Sequence, residues 1–534
     1  MRFRSVLRTR RGAGWRIRCA GVPGGLLAVG WLLGFTAVQA STPDQLYRQH
    51  CAACHGPERL GGQGPALVPE NLGRLKPAAA ADVIRNGRAA TQMPGFAAVL
   101  EEREVERLAA YLYTPAPAAL AWGQAEIEAT RVVYAPGGDS SAGPVYDADP
   151  LNLFLVVEAG DHHITVLDGD RFRPIHRFPT RRALHGGPKY TSDGRFVFLA
   201  SRDGWITKYD MHRLETVAEV RAGINTRNLA VSHDDRYVLV GNYLPHTLVL
   251  LDAKDLSVIK VIAVADDFAN SSRVSAVYTA PPRASFIVAL KDLKEVWEIF
   301  YADDPPLVAN ALMHDFRMGE GMAEPNRFPV RRIQLDDYLD DFFFDPDYTV
   351  LIGAAREAKQ GQVISLIVGR RIADVDLPGL PHLGSGISWT YRGATVLATP
   401  NLKTNEVSVI DTATWKTVRR IETLGPGFFM RSHENSRYAW VDVFFGPHKD
   451  AVHVIDKDTL EIVKTLRPAP GKTAAHVEFT RDGRYALLSI WDVDGAVVVY
   501  DAQSLQEKVR IPMNKPVGKY NVYNKISGSA GTSH

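Results

Sequence analysis

A repeat constrains this chain more than any other feature. From about residue 124 onward one unit recurs: a start strand, an Asp-Gly-Arg-like turn, an apolar strand, a loop, a V-x-V-x-D strand and a charged strand. The stretches 190–199 (YTSDGRFVFL), 231–240 (VSHDDRYVLV) and 479–488 (FTRDGRYALL) each open a unit. Related units open near Val145, Ala276, Phe343, Ser388 and Arg431, which makes eight. Third-strand endings match too: Val166-Leu167-Asp168, Leu250-Leu251-Asp252, Val409-Ile410-Asp411, Val454-Ile455-Asp456 and Val499-Tyr500-Asp501. Spacings of roughly 40 to 50 residues are those of four-stranded blades. The longer fourth interval holds Leu307–Pro329, read as a surface insertion. An all-β, eight-bladed propeller over 124–534 is therefore expected. The chain's 44 glycines and 32 prolines, many in turn-like clusters, suit it. A propeller alone implies a binding platform, so chemistry must be argued from the residues lining its channel.

At 534 residues the chain has room for two or three domains. Its formal net charge of +2 does not point to nucleic acid. Residues 1–40 read as a signal peptide that is removed. Arg2, Arg4, Arg8, Arg10 and Arg11 form a basic start, and Gly24–Val38 is an apolar run of 15 residues, short for a bilayer span. Val38-Gln39-Ala40 ends on a small residue. Export to the periplasm without stable membrane insertion is expected; the alternative is an uncut anchor. Cys19 lies in the leader, so the mature chain keeps Cys51 and Cys54 alone.

Cys51-Ala52-Ala53-Cys54-His55 is a CxxCH sequence, the c-type haem attachment pattern. Two thiols one helical turn apart add to the two vinyl groups of one porphyrin, and the next imidazole reaches the iron. The alternatives are a structural disulfide or a thioredoxin-like motif, but no βαβ pattern surrounds the cysteines. Met93, in Thr91-Gln92-Met93-Pro94-Gly95, is the candidate sixth ligand; it follows a helix-like run from Ala79 to Gly87. A core methionine is the competing reading. Gly64-Pro65 resembles the loop that crosses the haem face in class I cytochromes c. Glu102–Tyr113 reads as a closing amphipathic helix with Val105, Leu108, Ala109 and Leu112 on one face. A small all-α class I cytochrome c domain over 41–113 is expected, with one covalent haem c. A Pro/Ala-rich, semi-rigid linker at 114–123 follows.

The innermost strand of each blade lines the channel, and ligands bind at one rim. Eight to ten residues before successive turn arginines stand His185, Arg227, His382 and His476; Arg431 and His433 fall at the start of another blade. Three imidazoles and two guanidiniums thus converge on one rim. Imidazole suits iron, and arginine suits carboxylates bidentately. A carboxylated tetrapyrrole satisfies both demands. His162, His163, His246, His448 and His453 fit no such register and read as structural or surface residues.

Several longer stretches carry a family resemblance. They are 46–51 (LYRQHC), 158–163 (EAGDHH), 424–435 (LGPGFFMRSHEN), 470–479 (PGKTAAHVEF) and 518–524 (GKYNVYN). With the two-domain order, they resemble the cytochrome cd1 nitrite reductases and more closely their dihydro-haem d1 dehydrogenase (NirN) relatives. The resemblance covers essentially all of the mature chain. It implies a haem d1-binding propeller in which His185 is the proximal iron ligand and His382 a distal histidine. Arg202 and Arg227 would lie near the macrocycle carboxylates. The second distal histidine of the reductases has no counterpart; 339–344 reads LDDFFF there. That departure counts against nitrite reduction, which needs protons delivered to a departing oxygen.

What the resemblance implies is a periplasmic oxidoreductase of haem d1 biosynthesis. It would dehydrogenate a propionate side chain of dihydro-haem d1 to acrylate and pass the electrons to its own haem c. His476 is the candidate base, with Tyr520 and Arg431 orienting the carboxylate or relaying a proton. A cytochrome cd1 nitrite reductase and a non-catalytic haem d1 carrier are the alternatives. Expected partners are the tetrapyrrole, a soluble electron acceptor, and cytochrome cd1 nitrite reductase or another haem d1 assembly protein.

Overall fold

The blades are built by one piece of local chemistry. In the turn at 191–195, the Thr191 hydroxyl donates to Asp193 Oδ1 at 2.6 Å, which also accepts the Arg195 N–H at 2.9 Å. Gly194 takes a φ of +75°, a left-handed turn conformation that glycine adopts without strain. The Arg195 guanidinium reaches Asp210 at 3.0 Å, and Asp210 Oδ1 accepts the N–H groups of His212 and Arg213. Asp168, Asp411, Asp456 and Asp501 each accept from the residues two and three positions on. The aspartate closing each V-x-V-x-D strand is thus the cap of the turn into the fourth strand.

The computed structural model describes residues 41–88, 91–116, 120–134, 143–308, 326–355 and 360–532. The proposed leader, part of the linker and most of the 307–329 insertion lie outside them. Eight antiparallel sheets occur among the described residues, seven of four strands and one of five. The eight-bladed propeller is therefore the architecture. Val132–Val133 makes the fifth strand by pairing with Glu215–Arg221.

One blade differs from the sequence expectation. Val145 opens no strand and is exposed. The innermost strand of that blade is Pro516–Asn521, from the other end of the chain, paired antiparallel with Leu153–Glu158. Its physical role is closure: the last strand of the chain completes the first blade and so joins the two ends of the ring.

Between blades the cores are apolar and continuous. Phe198, Ile206, Val220, Leu229, Val240 and Val249 pack as one cluster; Trp440, Val454, Phe479, Leu488 and Val498 form another. Each fully buried side chain of this kind contributes about 1.5–3 kcal/mol.

The N-terminal part is helical: Pro43–His50, Ala52–His55, Pro69–Leu72, Pro77–Asn86 and Glu102–Leu112. Glu101 and Glu104 form a capping box at the start of the last helix. Its buried face is Val105, Leu108, Ala109 and Leu112, packed with Leu46, Tyr47, Leu72 and Ile84. The stretch expected as a linker is held in place. Buried Arg59 donates to the carbonyls of Tyr111, Thr114 and Pro115. Ala116, Leu120 and Trp122 pack around Ala66, Val68, Ile224 and Leu244. A short helix, Gln124–Thr130, then buries Ile127 in the propeller core. Pro43–His534 forms one compact unit. Among the described residues, no helix is long and apolar enough to cross a membrane.

Candidate functional site

Cys51 caps the short helix Ala52–His55 and Cys54 lies within it, and both thiols are free. Burial pushes the Cys51 thiol up to about 11. His55 is buried, and its Nδ1 lies 2.7 Å from the Pro65 carbonyl. A carbonyl can only accept, so Nδ1 carries the proton and Nε2 keeps its lone pair. A Cβ on Gly64 would sit 2.6 Å from His55 Cε1, so only glycine lets the loop lie against this ring. Met93 is half-buried in a turn; its N–H donates to Thr91 Oγ1 at 3.1 Å. Gln63 Nε2 donates to Gln92 Oε1 at 3.1 Å, which joins the Pro65 loop to the Met93 loop. Free thiols, a presented imidazole and two joined loops fit a covalent haem.

The propeller rim repeats the histidine device twice. His185 Nδ1 lies 2.8 Å from the Arg227 carbonyl, and His382 Nδ1 lies 2.5 Å from the Phe428 carbonyl. Each ring is thereby fixed in the tautomer whose Nε2 can bind a metal. The Arg227 guanidinium meets His185 Nε2 at 2.6 Å. His185 stands on the second blade and His382 on the sixth. Burial, then Arg202, Arg227 and His382, hold His185 well below the usual imidazole range. Burial also lowers His382, against the opposing carboxylate of Asp341.

His476 stands in a strained place. Its φ is +59°, rare for a residue with a Cβ, at a bulge where Ala474–Phe479 slips register against Tyr485–Ile490. The bulge carries its ring to 4.9 Å from Tyr520 and 4.7 Å from Phe429. Phe428 lies 4.2 Å from His382, and Phe428 and Phe429 are 4.5 Å apart. On the other side, Gly187 lies within 3.1 Å of Tyr520 as measured from an added Cβ. Aromatic contacts therefore run from His382 through Phe428, Phe429 and His476 to Tyr520, beside the loop that bears His185. Burial, then Lys519 and Arg431, hold His476 well below the usual imidazole range. Burial raises the Tyr520 phenol to about 12. Arg431 is buried and pairs with Glu478 at 3.3 Å. His433 does not share this rim; it packs at a far turn, against the Arg481 carbonyl at 3.2 Å. His246 and His453 bond Ser271 and Thr465 as structural residues.

The sequence reading missed several members of the site. Tyr243 sits among Arg202, Arg227, Arg273 and Lys291. Burial alone raises its phenol, but these cations outweigh burial and bring it to about 7. Arg273 pairs with Asp292 and Lys291 with Asp340, whereas Arg202 makes no ion pair among the described residues. Burial lowers the Arg202 guanidinium to about 10. Uncompensated buried cations are costly unless an anionic ligand answers them. Asp341, within the 339–344 stretch, accepts the Gly384 N–H at 2.6 Å and faces the Tyr278 hydroxyl at 3.5 Å. Asp442 and Lys519 are also buried here, and Lys189 is half-buried. Burial drives Asp442 up to about 7, Lys189 down to about 8 and Lys519 down to about 7. Lys519 donates to the His476 carbonyl and lies in a stretch, 518–524, already notable in the sequence.

The two sites also touch through protein. Ala66, next to Pro65, packs with Ile224 and Leu244, which flank Asn225 and Tyr243. Arg74 donates to the Lys291 carbonyl at 2.7 Å and pairs with Asp340 at 3.3 Å.

The fold and these sites define a class: a c-type cytochrome joined to a tetrapyrrole-binding propeller. Residues 148–525 match the family described as Cytochrome D1 heme domain, and 38–112 match Cytochrome C oxidase, cbb3-type, subunit III. The chain is 57% identical over 509 residues to the dihydro-heme d1 dehydrogenase of Pseudomonas aeruginosa, spanning 95% of this chain and 99% of that protein. It is 24% identical to the nitrite reductase of Stutzerimonas stutzeri over 94% of this chain and 98% of that protein. A solved structure of dihydro-heme d1 dehydrogenase NirN in complex with DHE superposes with a TM-score of 0.74 at 57% identity, covering 91% of this chain and all of that one. The chain belongs to the cytochrome d1 haem-domain family, in its dihydro-haem d1 dehydrogenase branch.

Proposed function

We propose that this chain removes two electrons and two protons from a propionate side chain of dihydro-haem d1, leaving an acrylate. The observation that carries this reading is the buried His476 imidazole, 4.9 Å from Tyr520 at a rim with two fixed imidazoles and a cationic wall. In this reading His185 and His382 hold the substrate iron through Nε2. Arg202 and Arg227 take ring carboxylates with charge-assisted bonds. Arg431 and Tyr520 orient the reacting side chain. The His476 imidazole takes the proton of one C–H bond, Tyr520 relays the second proton outward, and the two electrons leave one at a time to haem c. Cys51, Cys54, His55 and Met93 would hold haem c, which would supply a one-electron acceptor used twice per product. A soluble acceptor completes the cycle. The periplasm is the compartment this assignment requires, with cytochrome cd1 nitrite reductase or another haem d1 assembly protein as the recipient of product.

Nitrite reduction is the weaker reading, because the 339–344 stretch holds no second imidazole to deliver protons, and its Asp341 is already engaged by Gly384. The test is chemical. The oxidised protein is incubated with dihydro-haem d1 without oxygen, and the tetrapyrrole is extracted and weighed. Loss of two hydrogens is expected, with slow or no nitrite turnover. Unaltered tetrapyrrole would make the chain a carrier, and rapid nitrite turnover would make it a reductase.

A further inference from the structure

A single carboxylate bonds the backbone that carries or fixes two imidazoles of the rim. Asp442 ends the strand Tyr438–Asp442 on the seventh blade and is fully buried. Its Oδ1 accepts the N–H groups of Phe428 at 2.7 Å and Phe429 at 3.1 Å. Its Oδ2 accepts the His476 N–H at 3.2 Å. The Phe428 carbonyl is the atom that fixes His382 Nδ1, at 2.5 Å. From the middle blade, Asp442 thus connects to His382 on the sixth through one peptide unit and to His476 on the eighth through one N–H.

We propose that Asp442 is the positioning residue that sets His382 and His476 in one frame, fixing the distance between the iron-facing imidazole and the imidazole that takes the proton. It rests on the roles given above to those two histidines. The geometry asks for such a residue twice. His476 has a left-handed backbone, which persists only where its surroundings hold it. Phe428 and Phe429 lie outside any strand, so sheet pairing does not fix the carbonyl that His382 needs. Three N–H donors converge on one side chain that can only accept when ionised. Asparagine cannot replace it: one of its two terminal atoms is an NH₂, which would face an N–H.

The full-length protein carrying haem c is the material for the test, with Asp442→Asn, His382→Ala and His476→Ala compared with the unaltered chain. Ferric haem d1, the stable product, is added and its absorption spectrum and affinity are read. Conversion of dihydro-haem d1 gives kcat and KM separately. His382→Ala is expected to change the spectrum, and His476→Ala to remove conversion with the spectrum kept. Asp442→Asn is expected to do both: a spectrum shifted toward that of His382→Ala, and a kcat lowered about 10- to 100-fold, as for loss of bonds to a buried charged acceptor. KM should stay within about threefold, because the cationic wall is untouched. Asp442→Glu, with the charge kept and the arm lengthened, should fall between the two, and it serves if the asparagine variant does not fold. A folded Asp442 variant that changes only one readout, or neither, overturns the frame. If His382→Ala leaves the spectrum unchanged and His476→Ala leaves turnover unchanged, the histidine roles themselves have failed, and the frame with them.

Discussion

The CxxCH site and the propeller rim both fix imidazoles by bonds to the backbone, over very different sequence distances. At the first, His55 bonds Pro65, and Gln63 meets Gln92, all within the short helical domain. At the second, the fixing bonds run from one blade to a neighbour: His185 to Arg227, His382 to Phe428, His476 to Asp442, Lys519 to His476. Those partners are separated by 42, 46, 34 and 43 residues, close to the repeat itself. A local site needs only its motif and a loop. A site shared among blades needs the ring to close, and here Pro516–Asn521 both closes it and supplies Lys519 and Tyr520. The sites differ in charge as well: the rim gathers Arg202, Arg227, Arg273 and Lys291 around one phenol, as a ligand with several carboxylates requires.

The sharpest way to separate the two regions is to remove one of them. Replacing Cys51 and Cys54 by alanine should abolish covalent haem and reduce steady-state conversion to background, while the propeller still binds haem d1; pyridine haemochrome analysis and a binding titration read the two effects. Next in size is His476→Ala, for which a fall in kcat of about 10²- to 10⁴-fold is expected, the range for a positioned acid–base group. Full activity in that variant would move the base elsewhere on the rim. Arg202→Ala should weaken haem d1 binding about 10- to 100-fold, as loss of a charge-assisted pair does, and leave the haem c spectrum alone. An unchanged dissociation constant would mean that the cationic wall faces something other than the substrate.

The smallest effect is a titration. Tyr243, brought to about 7, should ionise near neutrality and give a difference absorbance near the phenolate band that Tyr243→Phe removes. Its folded pKa lies below the unfolded value, so between the two the unfolded chain holds the extra proton. Its contribution to stability is therefore present at high pH and is lost as pH falls through about 7. Carboxylates binding to the same cations should raise this pKa, so haem d1 binding at neutral pH should take up a proton.

Much of this molecule can be read from its residues. CxxCH, the closing helix and the repeated turn are local patterns whose chemistry is complete within a few positions. The shared register of His185, His382 and His476 followed from the repeat. What escaped is non-local. Ala475-His476-Val477 looks like continuous strand, and periodicity does not announce the bulge that turns His476. Asp442 has the appearance of an ordinary strand end; its three N–H partners come from other segments. Tyr243 reads as a buried strand tyrosine until Arg202, Arg273 and Lys291 arrive from their own blades. Val145 reads as a blade opening, because counting from one end does not show that the first inner strand comes from the other.

The most direct test of the central claim is a single-turnover experiment, in which oxidised protein is mixed anaerobically with excess dihydro-haem d1 and no external acceptor. With a one-electron haem c in each chain and two electrons per product, haem c should become fully reduced as about half an equivalent of acrylate product accumulates, after which conversion stops until an acceptor is added. Product formed while haem c stays oxidised would contradict the account.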